Sequence, residues 1–112
     1  VTCRFACDKP VLLRDDAVAS HVYRIAQEAL NNAIKHGKAD IITIAMQQEG
    51  DSCILTIKDN GVGIGSAQSH GKGMGLSIMQ YRASMIGAVL EIKAADPGGT
   101  LIRCVFSNTA DR

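Results

Sequence analysis

Six of the eleven glycines in this 112-residue chain fall between Asp59 and Gly75, at positions 61, 63, 65, 71, 73 and 75. No regular helix or strand suits that density, because glycine loses the most backbone freedom on ordering and brings no side chain to pack. The spacing is still too regular for a random linker, with Gly61-Val62-Gly63-Ile64-Gly65 followed by Gly71-Lys72-Gly73-Met74-Gly75. A fold built around this segment must set regular elements on either side of a loop that makes its contacts through backbone.

The flanking sequence supplies those elements. Residues 3–7 alternate like a short strand. Asp15 and Asp16 offer an N-cap and an acidic first turn. Val18, Val22, Ile25, Ala29 and Ala33 then recur at helical spacing, with Ala26, Leu30 and Ile34 widening the stripe and Gly37 as the expected C-terminal stop. Residues 41–46 and 53–58, rich in β-branched side chains, read as a hairpin across the turn at 49–52. Leu76, Met79, Ala83 and Ile86 predict a second helix ended by Gly87. Strands follow at 89–93 and 100–106, joined by the turn Asp96-Pro97-Gly98-Gly99. The order β, α, β, β, glycine loop, α, β, β predicts an α/β fold: a two-layer sandwich with helices on one face of a mixed, largely antiparallel sheet.

Composition narrows the function. Hydrophobic residues make up 46% and charged residues 21%, and twelve basic against eleven acidic side chains leave a formal charge of +1. A general nucleic-acid binder would carry a clear basic surplus. No apolar run approaches the roughly 20 residues that span a bilayer. A single soluble domain over residues 1–112 is therefore expected, with neither nucleic-acid nor direct membrane contact. Cys3, Cys7, Cys53 and Cys104 fit no zinc spacing and read as buried thiols of a reducing compartment.

Three clusters carry chemistry. Glu28, Asn32, Lys35 and His36 fall at i, i+4, i+7 and i+8, along one side of the first helix. Taken alone, such a row reads as an exposed polar face. Asp59 stands at the end of a strand, where a buried carboxylate can accept from an exocyclic amine such as that of adenine while Gly61 and Gly63 let backbone approach a flat ring. Gly71 to Gly75 run into a helix N-terminus, which presents N–H groups and a positive dipole end to phosphate. The arrangement is neither a Rossmann fingerprint nor a P-loop.

Gln27 to Gly37 resembles the N box of the Bergerat-fold (GHKL) ATPases, Asp59-Asn60-Gly61-Val62-Gly63-Ile64 their G1 box, and Gly73-Met74-Gly75-Leu76 their G2 box. Pro97-Gly98-Gly99-Thr100 looks like the late Gly-Gly-Thr element of the kinases in that family, so the likeness spans about 17–106. Gln27 to Leu30, and Met79 to Ala83 after the G2 box, resemble sensor histidine kinases of the nitrate-sensor type.

The resemblance implies the ATP-binding catalytic domain of a two-component kinase, donating the ATP γ-phosphoryl to a histidine on a dimerisation domain outside this chain. A fragment of this kind is expected to be monomeric, cytoplasmic and unable to phosphorylate itself, with a response regulator downstream. The implied cofactors are ATP and Mg²⁺. Glu28 would be the acid/base residue and Asn32 the Mg²⁺ ligand. Lys35 would approach the phosphates and His36 would lie beside the nucleotide. Asp59 would hold adenine with Gly61 and Gly63, and Gly73 and Gly75 would face phosphate. Rival readings are a serine kinase and anti-sigma factor of the same fold, and a degenerate interaction scaffold.

Overall fold

The computed structural model describes residues 2–6, 11–36, 38–61, 73–95 and 98–108. Strand β1 (Thr2–Ala6) is followed by helix α1 (Asp16–Asn31), which runs on as a π-helical turn, Asn32–His36. Strands β2 (Ile41–Glu49) and β3 (Ser52–Asp59), helix α2 (Gly73–Met85), and strands β4 (Val89–Ala94) and β5 (Thr100–Ser107) complete the order. The five strands form one sheet in the order β1-β2-β3-β5-β4. β1 runs parallel to β2, and the remaining neighbours are antiparallel. This is the mixed sheet that the element order predicts.

Period-two alternation sorts the central strands by face. Cys53, Leu55, Ile57 and Asp59 of β3, and Thr100, Ile102, Cys104 and Phe106 of β5, are buried, while the residues between them are half-buried or exposed. The buried apolar residues of these strands share one core with Val18, Val22, Ile25 and Ala29 of α1, Ala33 of its π turn, Met79 and Ala83 of α2, and Ile86 just past its end. Asp59 thus shares the helix-facing side of the sheet with the aliphatic core.

Helix boundaries follow local chemistry. The Asp15 carboxylate accepts from the N–H groups of Ala17 (2.9 Å) and Val18 (3.3 Å), satisfying two of the free donors of a helix start. Gly87 takes φ +66° directly after the second helix, as a glycine stop should. The N-terminal approach to α1 is tied down by Asn108, which is buried. Its side chain donates to Leu12 O (3.0 Å) and Gln48 Oε1 (2.7 Å) and accepts from Arg14 N–H (3.1 Å).

Three expectations are corrected. Helix α2 begins at Gly73 rather than Leu76, so the last glycines of the loop form its first turn. Ile34 is exposed rather than on the apolar stripe, because the wider π turn rotates it off the face that a 3.6-residue period assigns. Cys3 is exposed because β1 is an edge strand with every side chain at the surface. Cys7 and Gly37 lie outside the described residues. No helix among the described residues is long and apolar enough to cross a membrane.

Burial, reinforced by the neighbouring Cys53, pushes the Cys104 thiol up to about 11 from an ordinary 9.0. The folded state therefore holds the neutral thiol more tightly than the unfolded chain does. That contribution is complete below pH 9 and is lost as pH rises through about 11. Urea unfolding midpoints should decline across this window, and Cys104→Val should make the decline shallower. An unchanged slope in the variant would show that Cys104 does not contribute.

Candidate nucleotide-binding site

Of the predicted site residues, Glu28 stands in the last turns of α1, Asn32 and Lys35 in the π turn that follows it, Asp59 and Gly61 at the end of β3, and Gly73 and Gly75 in the first turn of α2. Asp59 ends β3, is buried, and accepts from the Gly61 N–H at 2.8 Å through Oδ1. This bond closes an Asx turn that swings the chain out of the sheet while fixing the carboxylate.

Asn60 joins this corner to the first helix. Its Oδ1 accepts from the N–H groups of Asp40 and Ile41, both at 2.9 Å, and its own N–H donates to Ile41 O at 3.2 Å. One residue back, Ala39 N–H donates to Ala33 O at 2.9 Å, which caps the π turn. Lys38 between them takes φ +53°, an uncommon conformation for a residue with a side chain. A short run of hydrogen bonds thus connects the turn bearing Asn32 to the turn bearing Asp59. Sequence reading assigned Asn60 no role of its own. Its only local signal is the Asp-Asn-Gly turn chemistry, and its partners lie about 20 positions away.

On the first helix the row divides. The Glu28 side chain is only 14% exposed and pairs with Arg24 one turn earlier, Nε to Oε2 at 3.4 Å. Asn32 opens the π turn and is half-buried, and its Nδ2 is buried with no hydrogen-bond partner among the described residues. An unpaired buried amide costs about 1–3 kcal/mol, which marks a place for a missing partner. Lys35 is exposed. The π turn breaks the spacing that sets Lys35 on the Glu28 side of a regular helix. The side chain of His36 and all of Gly63 lie outside the described residues. Gly73 and Gly75 stand in the first turn of α2, whose N–H groups have no helical partner and can meet an anion.

The late glycines close the third side. Gly99 takes φ +98°, and a Cβ placed there would overlap the Asp59 carbonyl oxygen and come within 2.9 Å of its Oδ1. A Cβ on Gly98 would meet only Gly61 O, at 3.8 Å. The described residues contain no group of three His, Cys, Asp or Glu side chains able to hold a metal. The amide of Asn32 would suit Mg²⁺, an ion that keeps several waters and takes few protein ligands. A separate apolar groove of about 400 Å³ opens between β1 and α1, lined by Phe5, Val22, Leu30 and Met46 among others. It includes neither Glu28, Asn32 nor Asp59 in its wall.

Replacing Asn60 by Ala removes the acceptor of two backbone donors and should cost about 1–2 kcal/mol in urea unfolding. Asn60→Asp, which keeps an acceptor oxygen, should retain most of that stability. Equal losses in the two variants would rule out the acceptor role.

Residues 17–110 match the model of the histidine kinase-, DNA gyrase B- and HSP90-like ATPase family. The nitrate/nitrite sensor protein NarQ of Escherichia coli is 35% identical over 101 residues, which is 89% of this chain and 18% of NarQ. The sensor histidine kinase LiaS of Bacillus subtilis is 38% identical over 85 residues, 76% of this chain and 24% of LiaS. The chain therefore spans about a fifth of these relatives. Among solved structures, the ATP-binding domain of PrrB from Mycobacterium tuberculosis superposes with a TM-score of 0.71 at 17% identity, over 96% of this chain and 81% of that one. The histidine kinase domain of a blue-light activated kinase from Erythrobacter litoralis gives 0.76 at 19% identity, over 96% and 51%. Both likenesses concern the fold. The chain belongs to the histidine kinase-, DNA gyrase B- and HSP90-like ATPase family, as an ATP-binding domain of the sensor histidine kinase kind.

Proposed function

We propose that this domain binds ATP with Mg²⁺ and donates the γ-phosphoryl group to a histidine on a separate dimerisation domain, from which a response regulator is then charged. The observation that carries the reading is the buried Asp59 carboxylate, held by Gly61 at the mouth of a glycine loop in a chain of this ATPase family. In this reading Asp59 accepts from the adenine 6-amino group. Gly61 and Gly63 give the ring a flat backbone wall. The N-terminal turn of α2, with Gly73 and Gly75, offers N–H groups to the phosphates, and Lys35 and His36 act from the other side.

Asn32 would hold Mg²⁺ through its amide oxygen, and its buried, unpartnered nitrogen supports a role that is completed only with nucleotide present. The ion, when bound, neutralises charge on the bridging phosphates. Glu28 would orient or take the proton from the acceptor imidazole. Its pairing with Arg24 one turn earlier would help hold the carboxylate in place until the acceptor arrives. Phosphoryl transfer asks mainly for positioning and charge neutralisation, and these residues supply both. In the same reading the domain is a cytoplasmic monomer that depends on the dimerisation domain for its acceptor histidine.

Calorimetry should show Mg-ATP binding by the 112-residue chain, and Asp59→Asn should weaken it by about ten- to a hundredfold, the value of a hydrogen bond to a charged group. Absence of binding at millimolar nucleotide would favour the scaffold reading. In the full-length parent kinase, Glu28→Gln should leave nucleotide affinity intact and slow phosphohistidine formation by about a hundredfold or more. An unchanged rate would remove Glu28 from catalysis.

A further inference from the structure

The turn before β5 is pressed against the residue that reads the base. The β3–β5 ladder ends at the pair Lys58 and Leu101, and beyond it the two chains do not separate. Gly99 comes so close to the Asp59 peptide that an added Cβ would overlap the Asp59 carbonyl oxygen, stand 2.6 Å from its carbonyl carbon and 2.9 Å from Oδ1. Gly99 also accepts from Ala95 N–H at 3.0 Å, so its backbone is held from the β4 side. Thr100, the next residue, is buried at the start of β5. The Asp59 carboxylate is thereby bounded by the Gly61 N–H at 2.8 Å on one side and by the bare α-carbon of Gly99 on another.

We propose that Gly99 is a positioning residue for base recognition, because its bare α-carbon seats the turn before β5 against the Asp59 peptide and so aims the Asp59 carboxylate at a purine 6-amino group. This rests on the adenine reading of Asp59 given above. Two conditions are met here that glycine alone satisfies. The left-handed φ of +98° strains any L side chain, and no volume exists for one. The other positive-φ glycines in the described residues, Gly50 at +62° and Gly87 at +66°, have nothing within 4 Å of an added Cβ. They separate backbone strain from contact with Asp59. Gly99 touches no nucleotide in this scheme and acts only through Asp59.

The readout is a ratio of affinities, which general loosening of the fold would not change. The 112-residue chain is titrated with Mg-ATP and with the 6-deamino analogue, purine riboside triphosphate. The unsubstituted chain should prefer ATP by about tenfold or more, and Asp59→Asn should bring the ratio close to one. Gly99→Ala should lower the ratio toward that of Asp59→Asn. Gly50→Ala, which puts an alanine at positive φ in open space at the far end of β3, should keep the full ratio.

If the unsubstituted chain shows no preference, or Asp59→Asn keeps it, the base-reading assignment of Asp59 fails. If Asp59→Asn abolishes the preference and a folded Gly99→Ala retains it, the positioning role fails alone. Should Gly99→Ala not fold, the unsubstituted chain decides by NMR. The Gly99 amide resonance should shift on adding ATP and move less with the 6-deamino analogue. Equal shifts with both would overturn the proposal.

Discussion

The Asp59 corner is the constraint from which the rest of the site follows. A carboxylate buried at the end of a strand is tolerated only if hydrogen bonds replace lost water. Here one comes from Gly61 at 2.8 Å, and the next residue, Asn60, spends its side chain on the backbone that leads into β2. Three separate parts of the chain, the α1–β2 connection, the β3 end and the turn before β5, are thus brought together within two residues. Without that junction the π turn after α1 would have no hydrogen-bonded link to the end of β3.

Packing and chemistry are divided between the two layers. Among the described residues the core draws on aliphatic side chains, Met79 and two cysteines from helices and sheet, with Phe106 its one aromatic residue. The polar groups that matter stand at the C-terminal ends of α1 and β3 and the N-terminal end of α2. In the reading proposed above, the helix start would favour phosphate and the strand-end carboxylate an amine. A near-neutral chain suits that division, because a few placed charges suffice where the backbone supplies the remainder.

Much of this was legible from local pattern. The five stripe residues from Val18 to Ala33 are all buried, Asp15 caps the helix, and Gly87 ends the second helix with positive φ, because each depends on neighbours a few residues away. The late start expected for α2 reflects the poor intrinsic helicity of Gly73 and Gly75, which does not prevent them from forming its first turn. The misplacement of Ile34 comes from the π turn, since nothing in the spacing of residues 32–36 announces a change of period. The contacts of Asn60 and Gly99 were invisible for a different reason. Their partners are distant in sequence, and only the sheet order brings β5 beside β3.

Strand parity gives the alternation along β3 a consequence for how such a domain can vary. Asp59 faces the helices because it stands an even number of residues from Cys53, Leu55 and Ile57. Losing or gaining a single residue within that strand would turn either the core or the carboxylate to the opposite side of the sheet. Length variation in descendants of this sequence is therefore confined to connections such as the turn at Gly50, and the strand itself can change in composition but not in count.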